Sequence, residues 1–298
     1  MAGATSAVAV GDYGGILDAL RGVRWVARRA VAAGAPGAHR SRRRGTAVEF
    51  TEYRAYRQGD DPRRLDWKLL ARTDKAFVRL TDDHAVLPTT IVVDASASMA
   101  FPVATLGKWR LACELAVGLT AVAQASGDPV GLRVVTGSTV LAEVRRTTRR
   151  GIVGLAADTL RRITPGGRAS AAPHAHSRDT GRVIFVSDFL DGDDAYLADA
   201  RAALAARGEA YAIHVVAREE LDPPTRALLV NDPEHPIVRR PLMQETRSAY
   251  LANFAAWRGE IQHAWLGTGA SYTMVATDEP AARAIRRITT PPDTAQRG

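Results

Sequence analysis

The 298-residue chain contains a single cysteine, Cys113. One thiol closes no internal disulfide and builds no cysteine metal site, so a reducing compartment is expected, with Cys113 a small apolar residue on a helix. Long apolar runs are also lacking: none approaches the roughly 20 residues that span a bilayer. The first twenty residues carry Asp12 and Asp18 and have no basic start followed by an apolar stretch. They do not read as a signal peptide, and a cytoplasmic protein is expected. No glycine-rich loop ends in Lys-Ser or Lys-Thr, which argues against a P-loop nucleotide enzyme. The histidines show no ligand spacing apart from His174-Ala-His176.

What is present is ordinary globular usage, 46% hydrophobic and 24% charged. The length permits one large domain or two smaller ones. The net charge of +8 is unevenly spread, because residues 21–80 hold 16 Lys or Arg against 6 Asp or Glu. Such a basic extension suits an acidic partner, nucleic acid or an anionic surface, and equally a solvated or internally paired segment.

Apolar residues at Ile16, Leu17, Leu20, Val23, Val26, Ala27 and Ala30 predict a helix from Gly14 to Ala33, stopped by Gly34-Ala-Pro-Gly37. His39 to Gly45 reads as a basic loop, Leu65 to Arg72 as a short helix and Ala76 to Leu80 as a strand. Thr89 to Val93 is a continuous β-rich run, as expected of a strand buried on both faces. Helices are expected over 108–125, 151–163, 195–206 and 243–266. Strands are expected over 130–135, through Val144, and over 183–187, 211–216 and 272–276, with an irregular stretch from Leu221 to Pro241. This alternation predicts an α/β fold, a doubly wound and mostly parallel sheet with helices on both faces. The expected organisation is an N-terminal helix (1–38), a segment packed on the sheet (39–85), the α/β domain (86–290) and a tail (291–298).

Two of the buried strands end in aspartate, Val92-Val93-Asp94 and Val186-Ser187-Asp188. In an open α/β sheet, ligands bind beyond the carboxyl ends of the strands, where the strand order reverses. Neighbouring strands at that point would bring Asp94 and Asp188 together, and two carboxylates repel unless a proton or cation sits between them. Ser96 and Ser98 follow at alternate positions. Hydroxyls and carboxylates suit a hard cation such as Mg²⁺ or Mn²⁺. With few carboxylates the ion stays under-neutralised and can accept a carboxylate from a partner. The bland alternative is that the serines cap the next helix.

Asp94-Ala-Ser96-Ala-Ser98-Met99 resembles the metal-ion-dependent adhesion site of von Willebrand A domains. Gly127-Asp128-Pro-Val130-Gly131-Leu132 is similar to the start of their second strand, and Ser187-Asp188-Phe189 to the strand carrying their late aspartate. Arg54-x-Tyr56-x-x-Gly59-Asp60-Asp61-x-Arg63-Arg64-Leu65-Asp66-Trp67-Lys68-x-x-Ala71-Arg72 resembles the signature of the domain-of-unknown-function 58 family. Those bacterial and archaeal proteins carry a von Willebrand A-like domain. The resemblance implies a metal site at Asp94, Ser96, Ser98 and Asp188 and a partnership with a MoxR-type AAA+ ATPase or its client. One departure stands out: Arg168 and Ala169 occupy the loop from which a threonine ligand is expected, with Ser170 as a substitute or Arg168 as a replacement for the metal.

The leading expectation is therefore a non-enzymatic binding and assembly factor. A phosphoryl hydrolase with Asp94 as nucleophile is the first alternative, weakened because Ser96 stands where that chemistry wants a second carboxylate. Nucleic-acid binding through residues 21–80 is the second, with Tyr53, Tyr56 and Trp67 as stacking platforms. Trp67, Trp109, Trp257 and Trp265 are otherwise expected to pack. Asp60, Asp61 and Asp66 with Arg54, Arg63 and Arg72 form either a partner surface or an internal ion-pair network.

Overall fold

The computed structural model describes residues 12–27, 36–40, 50–56, 65–81, 84–137, 139–167, 181–190, 194–224, 228–231, 239–242 and 244–290. The chain divides into two compact units, Ala27–Leu87 and a unit made of Met1–Val26 with Pro88–Gly298.

The sheet-containing unit opens with α1 (Gly14–Ala19). The helix predicted from Gly14 ends at Ala19, well short of Ala33: the chain turns after it, Gly22 adopts φ +79, and residues 28–33 lie outside the described residues. A glycine in the left-handed region ends a helix without the steric cost other residues meet. Two residues beyond it still serve the core from an irregular segment, with Trp25 buried and Val23 packed against the same cluster, while Val26 is exposed.

The Ala27–Leu87 unit contains β1 (Pro36–Arg40), β2 (Phe50–Ala55), α2 (Trp67–Thr73), β3 (Phe77–Thr81) and β4 (His84–Ala85). β1 pairs with β4 and β2 with β3, both antiparallel. Asp66 caps α2 by accepting from the Lys68 and Leu69 amides. Trp67, expected to pack, is 63% exposed in the first turn of α2. Asp60, Asp61, Arg63 and the loop 41–45 lie outside the described residues.

The sheet runs β5 (Thr89–Asp94), β6 (Val130–Thr136), β7 (Thr139–Thr147), β8 (Arg182–Ser187), β9 (Glu209–Val216) and β12 (Ser271–Ala276). Their spatial order is β12-β9-β8-β5-β6-β7, parallel except for the edge strand β7. The mostly parallel, doubly wound sheet is thus as predicted. Between the strands lie α3 (Gly107–Ala125), α4 (Ile152–Arg161), α5 (Asp194–Ala205), α6 (Arg218–Leu221), α7 (Gln244–Gly267) and finally α8 (Ala281–Thr289). The stretch expected to be irregular contains an antiparallel pair, β10 (Leu228–Asn231) with β11 (Arg239–Leu242).

Alternation along the strands sorts the apolar residues onto two faces. Ile91, Val93, Ile184, Val186, Tyr211 and Ile213 share one core with residues of α3, α4 and α8. Val92, Val183, Phe185, Ala210 and Ala212 share the other with Tyr196 and Leu197 of α5 and Trp265 of α7. Trp109 and Trp265 are buried, as is Cys113 on α3. Among the described residues no helix is long and apolar enough to cross a membrane.

Candidate functional site

β5 sits between β6 and β8, and the chain leaves it first to one side and later to the other. That is the reversal point of the sheet, and both aspartates lie at its carboxyl end. Val93 pairs with Val186, so the next residues, Asp94 and Ser187, are also level. The register therefore brings together what the sequence separates by more than ninety positions.

Asp94 Oδ2 accepts a 2.6 Å hydrogen bond from Ser187 Oγ, and Oδ1 accepts from the Ser96 amide at 2.8 Å. Ser96 Oγ and Ser98 Oγ lie 3.0 Å apart, and Ser98 Oγ donates to Asp188 Oδ1 at 3.1 Å. All four predicted residues, Asp94, Ser96, Ser98 and Asp188, form one continuous, fully buried cluster. The loop that completes it is held by backbone: Ala97 N donates to Gly167 O and Gly166 N to Ala95 O. Arg168, Ala169 and Ser170 lie outside the described residues.

Three participants were not foreseen. Lys108, in the first turn of α3, donates 2.7 Å hydrogen bonds to both Asp188 Oδ2 and Glu220 Oε1. Its ammonium also lies 5.6 Å from the centre of the Phe101 ring. Glu220 is fixed from its other oxygen, which accepts from the Ala217 amide at 2.7 Å. The third is Ser187, whose signal was available as the residue level with Asp94 on the adjacent strand. Nothing local in the sequence singles out Lys108 or Glu220. Two large residues beside the cluster, Leu106 (φ 50) and Phe189 (φ 53), are in the left-handed region. Such strain costs on the order of 1 kcal/mol each and persists where surroundings enforce it.

The electrostatics follow from burial. Burial, with the Asp188 carboxylate second, pushes Asp94 up to about 6, against the hydrogen bonds from Ser187 and Ser96. Burial alone would lower the Lys108 ammonium, but the Asp188 and Glu220 carboxylates outweigh it and the net shift is upward. Glu220 is raised by burial, with Lys108 opposing. His214 is buried against Phe189, Trp257 and Tyr272, with Nδ1 2.7 Å from the Tyr272 hydroxyl. Burial lowers it to about 4, although Asp188 pulls the other way.

Among the described residues no group of three or more His, Cys, Asp or Glu side chains could hold a metal ion. The Asp94 cluster differs in kind, since half its donors are serine hydroxyls. Its all-oxygen composition fits a small hard cation, which prefers such ligands in octahedral geometry. The charge count fits as well: Asp94, Asp188 and Glu220 against Lys108 leave two negative charges, which one divalent ion would offset. A cleft of about 360 Å³ is lined by Gly107, Arg110, Glu114, Arg218, Glu219 and neighbouring residues. None of the four predicted site residues lines it.

Fold and site define the class: an open α/β domain with an oxygen-rich, ionisable cluster at the reversal point of its sheet. The chain belongs to the family described as protein of unknown function DUF58, whose profile matches residues 52–259. It is similar to the uncharacterized protein Rv1480 of Mycobacterium tuberculosis, 29% identical over 256 residues, which are 78% of this chain and 76% of that one. The uncharacterized protein Mb1516 of Mycobacterium bovis matches with the same identity and coverage. Two solved structures are similar at lower levels. The conserved hypothetical protein BatB from Bacteroides thetaiotaomicron has a TM-score of 0.37 at 16% identity, covering 67% of this chain and 96% of that one. An aerotolerance-related membrane protein from Bacteroides fragilis has a TM-score of 0.40 at 14% identity, covering 68% and 96%.

Proposed function

We propose that this chain is a non-enzymatic cytoplasmic binding and assembly factor whose Asp94, Ser96, Ser98 and Asp188 take Mg²⁺ or Mn²⁺, and through that ion a carboxylate of a protein partner. The observation that carries the reading is the pair of strand-end aspartates joined through serine hydroxyls, with two negative charges in excess once Glu220 and Lys108 are counted. A bound ion supplies a Lewis-acid contact for an incoming carboxylate. The chain's own residues orient it: Ser187 and the Ser96 amide fix Asp94, and Ser98 fixes Asp188. Metal and partner then reinforce each other by linkage. A MoxR-type AAA+ ATPase is the partner implied by the family resemblance.

Nucleophilic catalysis is disfavoured. Both Asp94 oxygens already accept hydrogen bonds, the side chain is buried, and the residue two positions on is a serine. The experiment is binding of the purified MoxR-type ATPase from the same organism to the immobilised full chain, in Mg²⁺, in EDTA, and with Asp94→Ala. Capture that requires both Mg²⁺ and Asp94 supports the reading. Capture indifferent to EDTA and to Asp94→Ala, or no capture at all, overturns it.

A further inference from the structure

Lys108 is buried without a solvent-facing surface, yet it is one of the least suitable residues for its position. It stands in the first turn of α3, where the helix dipole disfavours a cation. Burial of an ammonium adds a further cost. Both are offset by two carboxylates at 2.7 Å, one from the site and one from α6. These two are not equivalent. Asp188 Oδ1 is already engaged by Ser98 and lies in the oxygen cluster. Glu220 lies outside it and is held in place independently by the Ala217 amide.

Resting on the metal-site reading above, we propose that Lys108 is a positioning residue that sets the site's affinity for divalent ions. It acts as a resident cation shared between Asp188 and Glu220. Capture of a divalent ion replaces the Lys108–Asp188 contact and leaves Lys108 on Glu220, which is already in place to receive it. Two cations then compete for one carboxylate, and Glu220 decides how cheaply Lys108 gives way. Removing the ammonium eliminates both the competition and the like-charge repulsion, so the ion binds more tightly. Removing the Glu220 charge commits Lys108 to Asp188, so the ion binds less well. A role confined to pinning α3 would not produce opposite signs from the two ends of one bridge.

The test is Mn²⁺ titration of the full chain, followed by the electron paramagnetic resonance signal of free Mn²⁺ and by calorimetry. The proteins are wild type, Lys108→Met, Glu220→Gln and Asp94→Ala, each checked for folding by circular dichroism. Lys108→Met is expected to bind about tenfold more tightly than wild type, Glu220→Gln several-fold less tightly, and Asp94→Ala not at all. If wild type binds Mn²⁺ and Lys108→Met binds equally or more weakly, the Lys108 proposal fails and the metal reading stands. If no protein binds, Lys108→Met included, both fail. Should Lys108→Met not fold, Glu220→Gln decides: unchanged or tighter binding overturns the proposal.

Discussion

Strand β8 starts at Arg182 and is followed immediately by Asp188, and each end anchors a largely buried triad of one cation and two carboxylates. At the amino end Arg182 bonds Asp128 at 3.3 Å and Glu209 at 3.1 Å. The guanidinium lies 4.0 Å from the centre of the Trp25 ring, and the Tyr211 hydroxyl donates to Glu209 at 3.0 Å. Among the described residues Arg182 Nη2 has no hydrogen-bond partner, and the aromatic face supplies the compensating attraction. At the carboxyl end the cation is a compact lysine, the lining is serine hydroxyl, and a third carboxylate, Asp94, stands beside the triad. A planar, permanently charged fork locked under a ring holds structure together. A point charge shared between carboxylates, with negative charge in excess, is an arrangement that another cation can enter.

Arg182→Met should give the largest effect. It removes the cation that both Asp128 and Glu209 bond in the interior, and removing one member of a buried pair costs about 3–5 kcal/mol. Chemical denaturation would register it, and a loss below about 1 kcal/mol would erase the distinction between the two ends. Divalent binding, if present in wild type, should survive.

Next comes His214, at the carboxyl end of β9. Its folded pKa, about 4, lies below the ordinary value of 6.5. The stability it contributes is fully present above about pH 6.5 and is lost as pH falls through about 4, amounting to roughly 3 kcal/mol. His214→Gln should therefore be much less destabilised relative to wild type at pH 4.5 than at pH 7.5. An identical deficit at both pH values in thermal melts would remove histidine from the account.

Asp94 should show the opposite slope. Its folded pKa, about 6, lies above the ordinary 3.8, so the stability of its protonated form is present below 3.8 and lost as pH rises through 6. Asp94→Ala should consequently gain on wild type between pH 4.5 and pH 7.5, by about 2 kcal/mol. A variant that falls further behind as pH rises would show that Asp94 serves the core as Arg182 does.

The smallest effect is expected at the surface. Arg218 pairs with Asp222 at 3.1 Å, both side chains more than half exposed. Arg218→Ala should change stability by less than about 0.5 kcal/mol in a urea titration and leave Mn²⁺ binding unaltered.

Much of this architecture can be read from sequence, and the reasons differ by element. β5 and β8 announce themselves because a strand buried on both faces must be apolar throughout, and an aspartate directly after such a run has few structural excuses. α8 carried an equally plain signal, with Ala281, Ala284, Ile285 and Ile288 at helical spacing and buried, yet no helix was predicted there. α1 was over-extended because Gly22 fits a helical pattern in composition but not in conformation. Lys108 and Glu220 were beyond reach. Their meaning depends on α3 and α6 converging on one point, which no local periodicity encodes. Trp67 shows the reverse error, since a large aromatic suggests burial and here stands in solvent.

The Trp25 cap at the amino end has a consequence for the order in which the chain can assemble. Residues 12–26 leave the ribosome before the sheet does, but the partners of Trp25 are Ser126, Arg182 and Tyr211. At roughly 5–20 residues per second, the nascent segment waits on the order of ten seconds or more for the last of them. During that interval Tyr13, Leu20 and Trp25 have no sheet to cover. The closing contact must also gather a loop that includes all of Ala27–Leu87, although the entropy of closure grows only by about 0.6 kcal/mol for each doubling of length. The intervening unit can therefore vary in length at little thermodynamic cost, while the strap before it is among the last parts to find its place.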